Sequence, residues 1–350
     1  MNGVPFGRRR IGLDAEPLVI AEMSGNHNRS LDRALEIVEA AAAAGAHAIK
    51  LQTYTPDTMT LDVRAGDFVI DDANSLWNGR SLYDLYAEAQ TPWEWHEPIF
   101  RRARDLGIEC LSSPFDASAV EFLERFDPPA YKIASFEITD LRLIEAAART
   151  GRTVILSTGM ATAAEIDDAR RTALEAGAAG VVLLKCTSTY PASPRNSNIA
   201  TIPNMRGAFG CEVGISDHTA GIGVSVAAVA LGASVIEKHF TLRRADGGVD
   251  AAFSLEPAEL RSLVDESKRA WEAIGAVGYG PLPAEKRSLQ FRRSVYVARD
   301  MRAGETFDRD NLRVVRPGHG LEPRFYDLVL GRRIAADTRK GTPLAWDLVT

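Results

Sequence analysis

The stretch Ser234-Val235-Ile236-Glu237-Lys238-His239-Phe240 reads as a short buried strand ending in a polar cluster. Before it, Gly214-Ile215-Ser216-Asp217-His218-Thr219 closes another apolar run in the same way. Side chains alternate faces along a strand. Glu237 and His239 therefore share one face and Lys238 takes the other, while Ser216 and His218 share a face of their own strand. Two histidines at the carboxyl ends of neighbouring strands can share one divalent cation. With few further protein ligands, such an ion keeps positions for water and substrate oxygens, as a catalytic rather than a structural site does. Imidazole nitrogen with oxygen ligands suits manganese, zinc or another first-row ion. The alternative for each histidine is a hydrogen-bonded core residue.

Six similar runs precede these two, at 18–23, 48–53, 109–114, 130–135, 154–159 and 181–186. Segments with helical periodicity separate them, at 31–44, 91–106, 141–150, 163–176, 221–231 and 256–274. Pro92 and Pro257 open two of these, and Gly107 and Gly275 close them, the usual asymmetry of helix ends. Eight βα units predict an α/β fold, a parallel (β/α)8 TIM barrel. A doubly wound open sheet is the alternative, but no GxGxxG follows the first strand. The long insertion at 54–90 carries Trp77, Tyr83 and Tyr86 and suits a lid. We read a barrel over 1–277, a turn-rich linker over 278–290, and a small arginine-rich domain over 291–350 that is marginal alone and must dock.

The bulk composition narrows the function classes. The 350 residues carry a net charge of −6, which argues against nucleic acid or an anionic membrane as partner. No apolar run reaches the ~20 residues of a membrane span, and no signal peptide is expected. Three dispersed cysteines fit a reducing cytoplasm. Only seven residues are lysine, and Lys50, Lys132, Lys185 and Lys238 all lie in strand-like runs. Lysine is seldom buried without a partner, so the set points to an anionic ligand inside the barrel. The parity of the last strand turns Lys238 away from it.

A barrel of this kind works at the carboxyl ends of its strands. Those ends hold Glu22, Lys50, Gln52, Ser112, Ser113, Lys132, Ser135, Glu137, Lys185, Cys186, Ser188 and Tyr190, besides the histidine strands. The lysines and serines form a cradle for phosphate or carboxylate. Glu22 is either a general base or a partner for a lysine. Asp250 is either an acceptor for a sugar hydroxyl or a cap for the next segment.

The motifs IAEMSGNHN, KLQTYTPDTMT, SSPFD, YKIASFE, LSTGMA, LLKCTSTYPASP, GISDHTAGIG and EKHFTLRRADGGVDAAFSLEP resemble the sialic acid synthase family over nearly the whole chain. The C-terminal part is similar to antifreeze-like (SAF) domains. The resemblance implies condensation of phosphoenolpyruvate with the open-chain form of an amino sugar, with phosphate released by C–O cleavage. TPWEWH, SLWNGRSLYDLY and RADGGVD resemble the branch that takes the 6-deoxy sugar 2,4-diacetamido-2,4,6-trideoxy-L-altrose; N-acetylmannosamine and the legionaminate precursor are the alternatives. The resemblance also implies roles. Lys50, Ser113, Lys132, Ser135 and Ser216 hold phosphoenolpyruvate, joined by Lys185 and Ser188. His218 and His239 bind manganese or magnesium. Glu22 manages a proton or the attacking water, and Glu237 supports the metal or its water. Glu137, Tyr190, Asp250 and Arg316 meet the sugar. Ser188 stands in CTS where the N-acetylneuraminate synthases usually have CTN; it keeps a hydrogen-bonding group on a shorter side chain. A homodimer in which the small domain caps the partner's barrel is implied as well. A non-catalytic anion-binding barrel is the reading from another class; it leaves the histidines and Glu22 unused.

Overall fold

A hairpin opens the chain: β1 (Val4–Phe6) pairs antiparallel with β2 (Arg9–Ile11). In the computed structural model, which describes residues 3–73 and 75–350, eight parallel strands follow. They are β3 (Leu18–Glu22), β4 (Ala48–Thr53), β5 (Glu109–Pro114), β6 (Ala130–Ile133), β7 (Thr153–Ser157), β8 (Gly180–Cys186), β9 (Glu212–Ser216) and β10 (Val235–His239). They close in sequence order, with β10 pairing back to β3. The expected (β/α)8 barrel is therefore what forms.

The helices between them are capped by the residues that flank them. Leu31–Ala43 starts where Ser30 accepts from the Arg33 amide and stops before Gly45, whose φ of +86° favours glycine. Thr162 and Glu165 cap Ala163–Glu175 reciprocally. Helices without a counterpart in the sequence reading include Pro56–Met59 and Leu82–Ala89, inside the insertion at 54–90, and two of the barrel's outer helices. Ala117–Leu123 has only seven residues and is capped by Asp116, hidden in the SSPFD motif. Thr201–Phe209 carries Pro203 and Gly207, which mask its periodicity. The helix expected from residue 91 begins at His96, because a 3-10 turn occupies Trp93–Trp95.

Strand alternation sorts the barrel interior into two layers. Leu18, Ile20, Ala48, Leu111, Ala130, Ile155, Val182, Leu184 and Val235 make an apolar lower layer. Phe6 and Ile11 of the hairpin plug it, at 0% and 1% exposure. Two residues further along these strands, the same face bears Glu22, Lys50, Ser113, Lys132, Cys186 and Glu237. The hairpin thus dries the floor beneath a charged upper layer.

The chain divides after Gly275, and Ala276–Thr350 forms a second unit. Its own core gathers Val295, Val297, Met301, Phe307 and Leu312 around β11 (Ser294–Val297) paired with β12 (Leu312–Val315). The predicted linker and small domain both fall inside it. No described helix is long and apolar enough to cross a membrane.

The plug gives a stability test. Phe6→Ala should cost the barrel about 3–5 kcal/mol in urea unfolding monitored by circular dichroism. A loss below about 1 kcal/mol would show that the hairpin is not part of the core.

Candidate active site

Four charged side chains from four strands meet in the upper layer. Lys50 Nζ lies 2.7 Å from Glu22 Oε2 and 3.9 Å from Glu237 Oε2, and donates to Ser113 Oγ at 3.1 Å. Lys132 Nζ lies 3.4 Å from Glu237 Oε1, which also accepts from Ser216 Oγ at 3.1 Å. All four are buried. Burial pushes the Glu22 carboxyl up to about 7, with Lys50 opposing and Glu237 reinforcing the rise. Burial also lowers Lys132, against the pull of Glu237. Two lysines and two glutamates balance one another here, and Glu22 is poised to hold or lose a proton near neutrality.

Beside Lys132 the backbone approaches closely. Ser135 Oγ accepts from the Gly159 amide at 3.1 Å. A Cβ on Gly159 would collide with Ser188 Oγ and crowd Ser135 Oγ. Gly159 thus joins two hydroxyls and an N–H in one small concavity, which suits an anion's oxygens. Cys186, buried next to it, stands 3.7 Å from Ser188 Oγ.

The histidines come next, with Cys186 Sγ 3.9 Å from His218 Nδ1. The rings of His218 and His239 are 5.4 Å apart. His218 Nδ1 lies 3.1 Å from the Thr187 carbonyl, so it carries the proton and leaves Nε2 free. Burial pulls this imidazole down, but the Cys186 thiol and the Thr187 carbonyl raise it above 6.5, so a cation there competes with a proton. Burial and the charge of His218 hold His239 well below 6.5, and its buried Nδ1 has no hydrogen-bond partner. Each ring keeps a nitrogen for a metal, so the donors fit a divalent ion. Among the described residues no set of three His, Cys, Asp or Glu could hold one, so the two imidazoles would be the protein's ligands to it.

Next to the histidines, His239 Nδ1 is 3.9 Å from Asp250 Oδ2, an atom that also accepts from Ser24 Oγ. Gln52 Nε2 donates to Glu22 Oε1 at 2.9 Å and Ser24 Oγ at 3.0 Å. A hydrogen-bonded chain therefore runs from Glu22, the ion-pair partner of Lys50, through Gln52 and Ser24 to Asp250. Tyr190 stacks 4.5 Å from His218 and 5.4 Å from Phe253. Trp77, on the predicted lid, lies 6.0 Å from Tyr190 and donates from Nε1 to the Val249 carbonyl at 3.1 Å. Burial raises Glu137 to about 7, against Lys132, and its Oε2 has no hydrogen-bond partner.

Two sequence expectations are redirected. Lys185 has the outward parity of Leu183, and its ammonium donates to the Cys186 carbonyl at 2.8 Å, so it does not join the lysine cluster. Glu237 is committed to Lys132, Lys50 and Ser216 rather than to the histidines. Arg316 is exposed in the second unit, the part of the chain in which the sequence reading placed it. The sequence reading passed over Ser24, Gly159 and Phe253. Ser24 and Gly159 lie in the quoted AEMSGN and LSTG motifs directly after strand ends, and that position was the available signal.

A charged cradle and a histidine pair at the carboxyl mouth define a barrel enzyme of the sialic acid synthase type. The chain belongs to the NeuB family, whose model matches residues 37–279, and a SAF domain model matches 292–350. It is 44% identical to the pseudaminic acid synthase of Campylobacter jejuni over 95% of this chain and 96% of that one. The pseudaminic acid synthase of Helicobacter pylori is 41% identical, covering 95% and 97%. Among solved structures, N-acetylneuraminic acid synthetase from Leptospira borgpetersenii matches at a TM-score of 0.73 and 31% identity, covering 82% of this chain and 94% of that one.

The raised carboxyl is directly measurable. In infrared difference spectra between wild type and Glu22→Gln, the band lost with Glu22 should titrate near pH 7, protonated below and ionised above. Titration near the ordinary 4.5 would show that Glu22 is not held in this dry, charged layer.

Proposed function

We propose that this protein is a pseudaminic acid synthase: it condenses phosphoenolpyruvate with 2,4-diacetamido-2,4,6-trideoxy-L-altrose and water, giving pseudaminic acid and phosphate. The similarity to two pseudaminic acid synthases over 95% of the chain carries this reading. The interior of the site supports it, because two buried lysines suit a small, highly charged anion.

In this reading Lys50, Lys132, Ser113 and Ser216 receive phosphoenolpyruvate, with Ser135, Ser188 and the Gly159 amide around its phosphate. Its C3 forms the new bond to the aldehyde carbon of the sugar, and the aldehyde oxygen takes a proton to become a hydroxyl. The oxygen of water bonds to C2, the bond from C2 to the phosphate's bridging oxygen breaks, and inorganic phosphate leaves as the water oxygen becomes the C2 carbonyl; of the two protons water gives up, one balances the proton taken by the aldehyde oxygen and the other goes to phosphate. Glu22, with a carboxyl near 7, accepts a proton of that water, and Gln52 holds Glu22 in place. A divalent cation held by His218 and His239, manganese or magnesium, supplies Lewis-acid polarisation of a carbonyl oxygen when bound. Glu137 and Asp250 accept from the sugar's hydroxyl and amide groups. Tyr190, Phe253 and Trp77 make an apolar wall there, which suits a sugar whose sixth carbon is a methyl group.

We further propose a homodimer, with Arg316 of the second unit among the residues that meet the sugar. The three cysteines are free and buried, in keeping with a cytoplasmic enzyme whose acidic sugar product goes to a surface glycan.

One turnover assay separates the alternatives. Phosphate release from phosphoenolpyruvate is measured with the altrose derivative, with the legionaminate precursor and with N-acetylmannosamine, each with and without EDTA. The altrose derivative should be favoured at least about tenfold in kcat/KM, and EDTA should abolish release until metal returns. Preference for either other sugar overturns the pseudaminate reading. Tight phosphoenolpyruvate binding without turnover on any of the three would favour a non-catalytic barrel.

A further inference from the structure

The strands that carry the two histidines are joined by a buried ion pair on their outward side. Lys238 directly precedes His239, and Asp217 directly precedes His218. Lys238 Nζ lies 2.8 Å from Asp217 Oδ2 and donates to the Thr219 carbonyl at 2.5 Å. One ammonium thus grips the residues on both sides of His218. Both side chains are fully enclosed, at 0% and 1% exposure.

The location matters because the backbone ladder ends there. β9 and β10 pair through Ile215 with Ile236 and Ser216 with Glu237, and the last rung is the Asp217 amide on the Glu237 carbonyl at 3.0 Å. Beyond that rung the two chains take different partners. The His218 carbonyl accepts from Ala192 and the His239 carbonyl accepts from Leu255. The Lys238–Asp217 pair is therefore the cross-strand link beside the histidines themselves. The carboxylate is held in turn, accepting from Ser225 Oγ at 2.6 Å and from the Thr219 amide at 2.8 Å.

We propose that the buried Asp217–Lys238 pair is a positioning clamp that sets the separation of His218 and His239 and thereby the site's affinity for a divalent cation. The clamp touches neither substrate nor cation; it acts through the backbone of the two residues that follow it. This inference rests on the reading of the histidines as the cation's ligands. A merely structural ion pair would contribute to stability and leave cation affinity alone.

The test is manganese binding, read as free Mn2+ by electron paramagnetic resonance on the full chain. Removing one partner strands a buried charge and can unfold the protein, so the main variant is the double Asp217→Asn, Lys238→Met, which removes both charges at similar volume. Its Mn2+ Kd should rise about tenfold or more, the usual effect of changing the support of a metal ligand. Its phosphoenolpyruvate Kd without metal should stay within about twofold, since the pair lies outside the interior that would hold that anion. An unchanged Mn2+ Kd in the folded double variant overturns the clamp. Should the double variant not fold, Ser225→Ala, which removes one donor to Asp217, replaces it; a roughly threefold weaker Mn2+ Kd is expected, and no change overturns the proposal. His218→Ala distinguishes the two claims. If it binds Mn2+ normally, the metal reading fails and the clamp with it. If it loses Mn2+ while the clamp variants bind normally, the clamp alone fails.

Discussion

Everything at this site depends on four charges kept out of water. Lys50, Lys132, Glu22 and Glu237 sit on four different strands, inside a layer floored by apolar side chains. Each such charge left alone would cost several kcal/mol. They persist because each lies within 4 Å of an opposite charge. The balance is local, with two lysines offset by two glutamates. In the proposed reaction an arriving anion upsets it, and Glu22, already raised to about 7, is the member able to respond by changing its protonation. A cluster that is neutral when empty and adjustable when filled is suited to a reaction that consumes a highly charged substrate and generates phosphate.

The same layer divides the mouth into two ends. Serine hydroxyls and the Gly159 amide gather near Lys132. The histidines, Asp250 and the aromatic wall lie at the other end. Hydrogen bonds through Gln52 and Ser24 join Glu22 to Asp250, so the carboxyl proposed to act on water is fixed relative to the carboxylate proposed to hold the sugar. The lid that carries Trp77 reaches the loop after β10 through the Val249 carbonyl, which brings the insertion to the sugar end.

Strand parity made much of this legible from sequence. Ser216 with His218, and Glu237 with His239, could be assigned to the interior by counting in twos, and Lys238 could be turned outward by the same count. The same rule applied to β8 also turns Lys185 outward; its charge had drawn attention more than its register. Helices were harder. Pro203 and Gly207 broke the periodicity of one, and shortness hid another. The amino-terminal hairpin escaped the reading because its strands have only three residues each, too few to show a period, although Phe6 and Ile11 were the residues that mattered. Contacts such as Ser24 to Asp250 join residues more than two hundred positions apart, and no local pattern encodes them. Nor does periodicity reveal Glu237's partners, because any inward charge on that strand has several possible neighbours.

The central claim is that the buried lysines are kept for an anionic substrate. Isothermal titration of phosphoenolpyruvate into metal-free protein tests it, comparing wild type with Lys50→Met and Lys132→Met. Each substitution should weaken binding about tenfold or more, the scale of a lost charged hydrogen bond, in variants whose circular dichroism shows a folded barrel. Unchanged affinity in both would mean that the four charges serve the fold alone, and would contradict the account.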